Sequence, residues 1–128
     1  EYAIRQCGGG YRAPFIADTA RAVADGAPDL MTLREVPYEE ALRELTLLVG
    51  VGDKVANCVL LFSLNKLEAF PVDVWIDRAI REWYLSGVKE RLTRKNIRLW
   101  ARDYFGPYAG YANQYLFHDR RLLGRGRG

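Results

Sequence analysis

The chain has 128 residues, of which 49% are hydrophobic and 27% charged, with a formal net charge of +3. That length fits one domain with a real core, and the composition is that of an ordinary globular protein. Two cysteines and one histidine exclude a four-cysteine iron–sulfur cluster and a Cys/His zinc site, and they give no disulfide framework.

Taken in order, Gly8-Gly9-Gly10 reads as a turn leading into a helix over about 11–25, closed by Gly26 and Pro28. Ala41, Leu42, Leu45 and Leu48 share one face of a helix predicted over about 38–48, with Glu39, Glu40, Arg43 and Glu44 elsewhere. Gly50 to Gly52 stop it. The next helix, about 53–64, is nearly all apolar outside its ends and is expected to be central and buried. Asn65-Lys66 end it. Asp73 is placed to N-cap a helix over about 74–85, and Thr93 another that runs to about 104. Phe105-Gly106-Pro107 break the chain before a last helix over about 108–121. Valine and isoleucine are scattered rather than alternating, so no strand is predicted. The expectation is a compact all-α array forming a single helical domain over residues 1–128.

No stretch is long and apolar enough to span a membrane as a helix, and no signal peptide is visible. Sparse cysteines favour a reducing, intracellular compartment. The chain starts at Glu1 rather than Met and is expected to be part of a longer product. Arg91, Arg94, Lys95, Arg98, Arg102, Arg120, Arg121, Arg125 and Arg127 crowd the last third. Such a run is either a solvated face with a frayed tail or a footprint for a polyanion.

The run Leu48-Val49-Gly50-Val51-Gly52-Asp53-Lys54-Val55-Ala56 is a helix-hairpin-helix turn. Its glycines allow positive φ and let the backbone approach a ligand closely. The amides of the turn and of the following helix start suit phosphate groups without reading sequence. A plain αα-hairpin would need no more than this. The lysine just past the turn and the later run Phe70-Pro71-Val72-Asp73-Val74 go further. An unprotonated amine attacks an electrophilic carbon, and a fixed carboxylate stabilises the positive charge that develops there. Asp73 is equally an ordinary N-cap, and the two roles are compatible. Asp53 and Asp77 read as surface carboxylates.

Three segments in order carry a family resemblance. They are Cys7-Gly8-Gly9-Gly10-Tyr11-Arg12-Ala13 with Thr19-Ala20-Arg21-Ala22, the hairpin through Val72-Asp73-Val74, and Phe105-Gly106-Pro107-Tyr108-Ala109-Gly110-Tyr111-Ala112 with Leu116-Phe117. Together they resemble the helix-hairpin-helix DNA glycosylase superfamily, in its 8-oxoguanine glycosylase/lyase branch. The resemblance implies base-excision repair of oxidised guanine in duplex DNA. Lys54 would be the nucleophile that forms a Schiff base and permits β-elimination at the abasic site, and Asp73 the catalytic carboxylate. It implies that Cys58 and Phe117 sandwich the flipped base and that Asn113 reads its edge, where the family has glutamine. Either the pocket closes by about a methylene, or Gln114 substitutes, or the base preference differs.

It further implies DNA contacts at Gly50, Val51, Gly52, Val55 and Trp75, the last standing where the family often has histidine. Val49 replaces a proline before the hairpin. Tyr11 and Arg12 would wedge the duplex and contact the orphaned cytosine. The backbone carbonyls of Thr46, Leu48 and Val51 would hold a structural monovalent or divalent cation. No other cofactor is implied, and a monomer is expected, in the cytoplasm or nucleoid of a prokaryote or the nucleus of a eukaryote. The family has an N-terminal portion that is not here, so weak or no activity is expected of this chain alone. The competing readings are a non-catalytic helix-hairpin-helix DNA-binding module and a same-fold glycosylase of different lesion preference. The first does not need Lys54 with Asp73, and the alkylated-base branch lacks the lysine.

Overall fold

A computed structural model of the chain describes residues 1–125, and Arg127 lies outside them, as does the side chain of Arg125. The described residues are helices and connecting segments, with no strand among them. They divide into two compact units, Glu1–Gly52 and the part from Asp53 onward.

In the first unit a short helix, Tyr2–Ile4 (α1), passes through a π turn, Arg5–Gly9, and a 3₁₀ turn, Gly10–Arg12. Ala13–Ala24 (α2) follows. The sequence led us to expect a plain glycine turn with the helix starting at Tyr11. Instead the backbone stays helical in curvature up to Arg12, and Gly8 (φ 85°) and Gly10 (φ 53°) interrupt it. Two reverse bonds close α2, Ala27 N–H to Ala22 O at 2.9 Å and Gly26 N–H to Val23 O at 3.0 Å. Thr32–Glu35 (α3) has too few residues to show a period. Asp29 builds its start by accepting from the Met31 amide (3.0 Å) and the Thr32 hydroxyl (2.9 Å). The Thr32 hydroxyl bond, then the Met31 and Thr32 amides, hold the Asp29 carboxyl below its ordinary range. Tyr38–Thr46 (α4) buries Tyr38, Ala41 and Leu45 at helical spacing. After it the chain turns through Val51 N–H to Leu48 O at 3.0 Å, with Gly50 at φ 82°. A Cβ at Gly50 would also fall 2.5 Å from the Phe15 ring, so the fold itself dictates glycine there.

The second unit contains Asp53–Phe62 (α5), Val74–Trp83 (α6), Arg94–Phe105 (α7) and Ala109–Arg125 (α8). Helix α6 packs on α7 and α8, and α7 on α8. Ile76 and Ile80 of α6 meet Ile97 and Ala101 of α7 and Ala109 of α8 in one core. Phe70 and Val72 join that core from the segment between α5 and α6. Phe70 stacks on Phe105 with centroids 5.8 Å apart.

A connecting segment buried this deeply must find partners for its backbone groups. Neighbouring helices supply them. Gly110 N–H donates to Leu67 O (2.8 Å), Arg102 Nε to Glu68 O (3.1 Å) and Asn113 Nδ2 to Pro71 O (2.8 Å). These bonds fix the segment that delivers Asp73 to the head of α6. Gly110 is the closest approach: a Cβ there would overlap the Leu61 side chain and lie 2.8 Å from Leu67 O and 3.2 Å from Ala69 O. Gly110→Ala is therefore expected to destabilise the protein by about 1–3 kcal/mol through overpacking. An unchanged midpoint in urea denaturation would contradict that close approach.

Candidate active site

Helix α5 has one buried face, Ala56, Asn57, Leu60 and Leu61, and one open face. Sequence composition suggested burial all round. The structure corrects this, since Phe62 is 62% exposed and Val55 43% exposed. Lys54, Cys58 and Phe62 recur every fourth residue, so they stand one above another on the same wall. They line a cavity of about 150 Å³. Pro71 and Asp73 from the buried segment, Ile76 of α6, and Asn113, Gln114 and Phe117 of α8 complete it.

Asp73 caps α6. Its Oδ1 accepts from the Trp75 amide at 2.9 Å and from the Ile76 amide at 2.8 Å. Both bonds go to one oxygen, so Oδ2 takes part in neither. The carboxylate is thus fixed in direction by two amides while one oxygen faces other duties. Lys54 is exposed in the first turn of α5.

Cys58 is half-buried between these charges. Burial pushes its thiol up, the Lys54 charge pulls it down, and the Asp73 charge pushes it up again, for a net rise. At neutral pH it stays a neutral thiol, a polarizable wall rather than a nucleophile. Phe117 lines the cavity and packs against the core. Two apolar walls thus sit beside an amine and a carboxylate.

Asn113 is buried, at 3% exposure. Its amide nitrogen is committed to Pro71 O, and its Oδ1 accepts from Gln114 Nε2 at 3.3 Å. Gln114 is exposed and lines the same cavity. The structure therefore brings both residues weighed for base reading to the cavity, but spends the Asn113 donor on holding the loop. Trp75 is 36% exposed beside the capped turn, with the Arg78 guanidinium 5.8 Å from its ring. It does not line the cavity.

In the first unit, the Arg12 guanidinium lies 4.4 Å over the exposed Tyr11 ring. Gly52, unlike Gly50, has ordinary φ, and nothing lies within 4 Å of where a Cβ would sit. The fold does not require glycine at that position. The Thr46 hydroxyl donates back to Leu42 O and Arg43 O, at 3.0 and 2.9 Å. Leu48 O accepts from Val51 N–H, which leaves it one lone pair.

Three readings of charge need revision. Asp53 is not a simple surface carboxylate. Its two oxygens meet Arg98 Nη2 at 3.0 Å and Arg98 Nε at 3.1 Å. Arg98 is 3% exposed, so it belongs to no solvated basic face. Asp77 pairs with Arg81 at 2.9 Å and is only partly exposed. The basic run of the last third is accordingly dispersed. Arg102 binds a backbone carbonyl, and Arg120 pairs with Glu82 at 2.7 Å while lying over the Trp83 ring. Sequence reasoning also missed Phe62, Pro71 and Ile76 as cavity walls. Phe62 carried a usable signal in its place two turns beyond Lys54, while the other two had none.

No family model matches the chain. It is 39% identical over 121 residues to a probable N-glycosylase/DNA lyase of Methanothermobacter thermautotrophicus, covering 94% of this chain and 38% of that protein. It is 37% identical over 125 residues to the N-glycosylase/DNA lyase OGG1 of Arabidopsis thaliana, covering 91% of this chain and 34% of that protein. Among solved structures it resembles the Clostridium acetobutylicum 8-oxoguanine glycosylase/lyase in complex with double-stranded DNA containing cytosine opposite 8-oxoguanine. There the TM-score is 0.87 and the identity 36%, over 94% of this chain and 40% of that one. The chain thus spans about two-fifths or less of the length of these relatives. Its helical fold and its sequence agree on one likeness: nearly the whole chain is similar to a part of the N-glycosylase/DNA lyases and of an 8-oxoguanine glycosylase/lyase.

Proposed function

We propose that the chain carries the nucleophile and carboxylate of a DNA glycosylase with β-elimination lyase activity that removes 8-oxoguanine from duplex DNA. The observation that carries this reading is the meeting of Lys54 and Asp73 in one cavity with apolar walls. A base must leave the stack to be excised, and such a cavity grips it by its faces. Cys58 and Phe117 supply those faces, and the exposed Gln114 supplies an amide for its edge while Asn113 holds the loop beside it.

The Lys54 amine forms a bond to the sugar C1′ as the C1′–N bond to the base breaks. The departing base takes up a proton. Asp73 stabilises the positive charge that builds on the sugar. Loss of the amine proton and ring opening give a Schiff base between Lys54 and C1′. Removal of a C2′ proton then expels the 3′ phosphate by β-elimination. The amine is regenerated when water cleaves the imine.

The open backbone at Gly52 supports phosphate contact through Gly50, Val51 and Gly52, and the helix-start amides around Val55 would offer a contact of their own. Trp75 would add contact to the duplex beside the cavity. Tyr11 and Arg12, exposed and stacked on each other, suit a wedge and a donor fork for the orphaned cytosine. The carbonyls of Thr46, Leu48 and Val51 would hold a structural cation, a reading supported by the position of Thr46 at the negative end of α4 and by the second lone pair of Leu48 O. The ion would stabilise the turn and take no part in bond breaking. The proposed partner is duplex DNA bearing a damaged base, bound by a monomer inside the cell.

Borohydride trapping tests the reading. The chain is mixed with a duplex carrying 8-oxoguanine opposite cytosine, with an abasic-site duplex in parallel. A covalent adduct is expected with the abasic-site duplex, where no base has to be excised, and in low yield with the 8-oxoguanine duplex, since the chain spans about two-fifths or less of the length of its relatives. A folded preparation that binds the duplex yet yields no adduct with either substrate would make the chain a DNA-binding module instead.

A further inference from the structure

Arg98 is an anomaly that the chemistry above leaves unused. It is a cation on α7 at 3% exposure, reaching across to the first residue of α5. Its Nη2 and Nε each take a different oxygen of Asp53, at 3.0 and 3.1 Å. This is the two-point fork that only a guanidinium provides. Asn57, one turn along α5, ties the same residue from the other side. Its Nδ2 donates to Asp53 O at 2.8 Å and lies 3.5 Å from Asp53 Oδ2. Asp53 is therefore held through its backbone and through both carboxylate oxygens. Lys54 is the next residue.

We propose that Arg98 is a positioning residue for Lys54, acting through Asp53 to fix the first turn of α5. Helix ends fray, and the opening residues of a helix lack the full set of intrahelical bonds. An exposed four-carbon lysine stem has only its backbone for a reference point. The Arg98 fork sets that reference against the body of the unit, which α7 shares with the core around Phe70 and Ile97. A nucleophile displaced by about 1 Å loses on the order of 100-fold in rate. The pair is thus worth keeping although burying an arginine is costly. This assignment rests on the reading of Lys54 as the nucleophile.

The test compares single-turnover trapping of an abasic-site duplex at saturating 128-residue chain for the wild type, Arg98→Met and Arg98→Lys. A merely structural role lowers the fraction of chain able to react, which raises the chain concentration needed for saturation but leaves the rate constant there unchanged. A positioning role lowers the rate constant at full occupancy. The expected result for Arg98→Met is a rate constant down about 10- to 100-fold, with duplex affinity within about twofold of wild type. Arg98→Lys keeps the buried charge but loses the fork, and its rate constant is expected between the other two. It also keeps the test decisive if Arg98→Met does not fold. An unchanged rate constant in both variants, or in Arg98→Lys alone when the other is unfolded, overturns the assignment while leaving Lys54 as nucleophile. No adduct from the wild type overturns the nucleophile reading, and the positioning role falls with it.

Discussion

Lys54→Ala is expected to abolish the borohydride-trapped adduct and to slow base release by at least about a thousandfold, as removal of a covalent nucleophile does elsewhere. Duplex affinity is expected to stay within a few-fold, because the proposed phosphate contacts come from backbone amides rather than from this side chain. The fold has no reason to suffer. Lys54 is exposed in the first turn of α5, alanine is a good helix former, and a positive charge at a helix N-terminus is unfavourable by about 0.3–1 kcal/mol. Thermal denaturation of the variant should match or slightly exceed the wild type. Loss of the adduct with the melting point kept is therefore the signature of a nucleophile. An adduct that survives in Lys54→Ala would assign the Schiff base to another amine, and peptide mapping of the trapped species would identify it.

Much of this arrangement was legible in the sequence because local rules carried it. Asp73 and Thr93 both cap helices, accepting from the amides two and three residues on in the first case and three on in the second. The period of α4 gave its buried face, and Gly50 gave the turn. Helix ends fell short of the predicted ones, with α5 stopping at Phe62 and α6 at Trp83. What was not legible depended on partners far along the chain. The Asp53–Arg98 pair spans 45 positions, so a buried, fully engaged arginine looked like one more member of a basic run. The apolar open face of α5 looked like core, since Phe62 lining a cavity and Leu61 packed inside are the same kind of letter in a sequence. The segment from Leu67 to Val72 carried no helical period to reveal its burial. Its anchors are a glycine amide, an arginine and an asparagine on two later helices.

Asp73 caps α6 and is proposed to stabilise charge on the sugar, and a pair of substitutions separates the two roles. Asp73→Asn keeps an oxygen able to accept from the Trp75 and Ile76 amides, and asparagine caps about as well as aspartate. Its stability should change by only about 0.5 kcal/mol, chiefly from losing a negative charge at the start of α6. Asp73→Ala removes the cap as well and should cost about 1 kcal/mol. Both variants lose the carboxylate, so both should slow base release by about 10²- to 10⁴-fold, the range for a positioned acid–base or charge-stabilising group. The thiol of Cys58 gives an independent reading of the same charge. Burial and Asp73 raise it and Lys54 lowers it, so in Asp73→Asn burial alone opposes the lysine and the thiol titrates at lower pH. Alkylation of Cys58 against pH, in a Cys7→Ser background because Cys7 is exposed, would report that shift. If Asp73→Asn excised 8-oxoguanine at the wild-type rate while Asp73→Ala lost only stability, the carboxylate would be a cap and nothing more. The positive charge on the sugar would then need another stabiliser, and among the residues lining the cavity Asp73 is the one carboxylate.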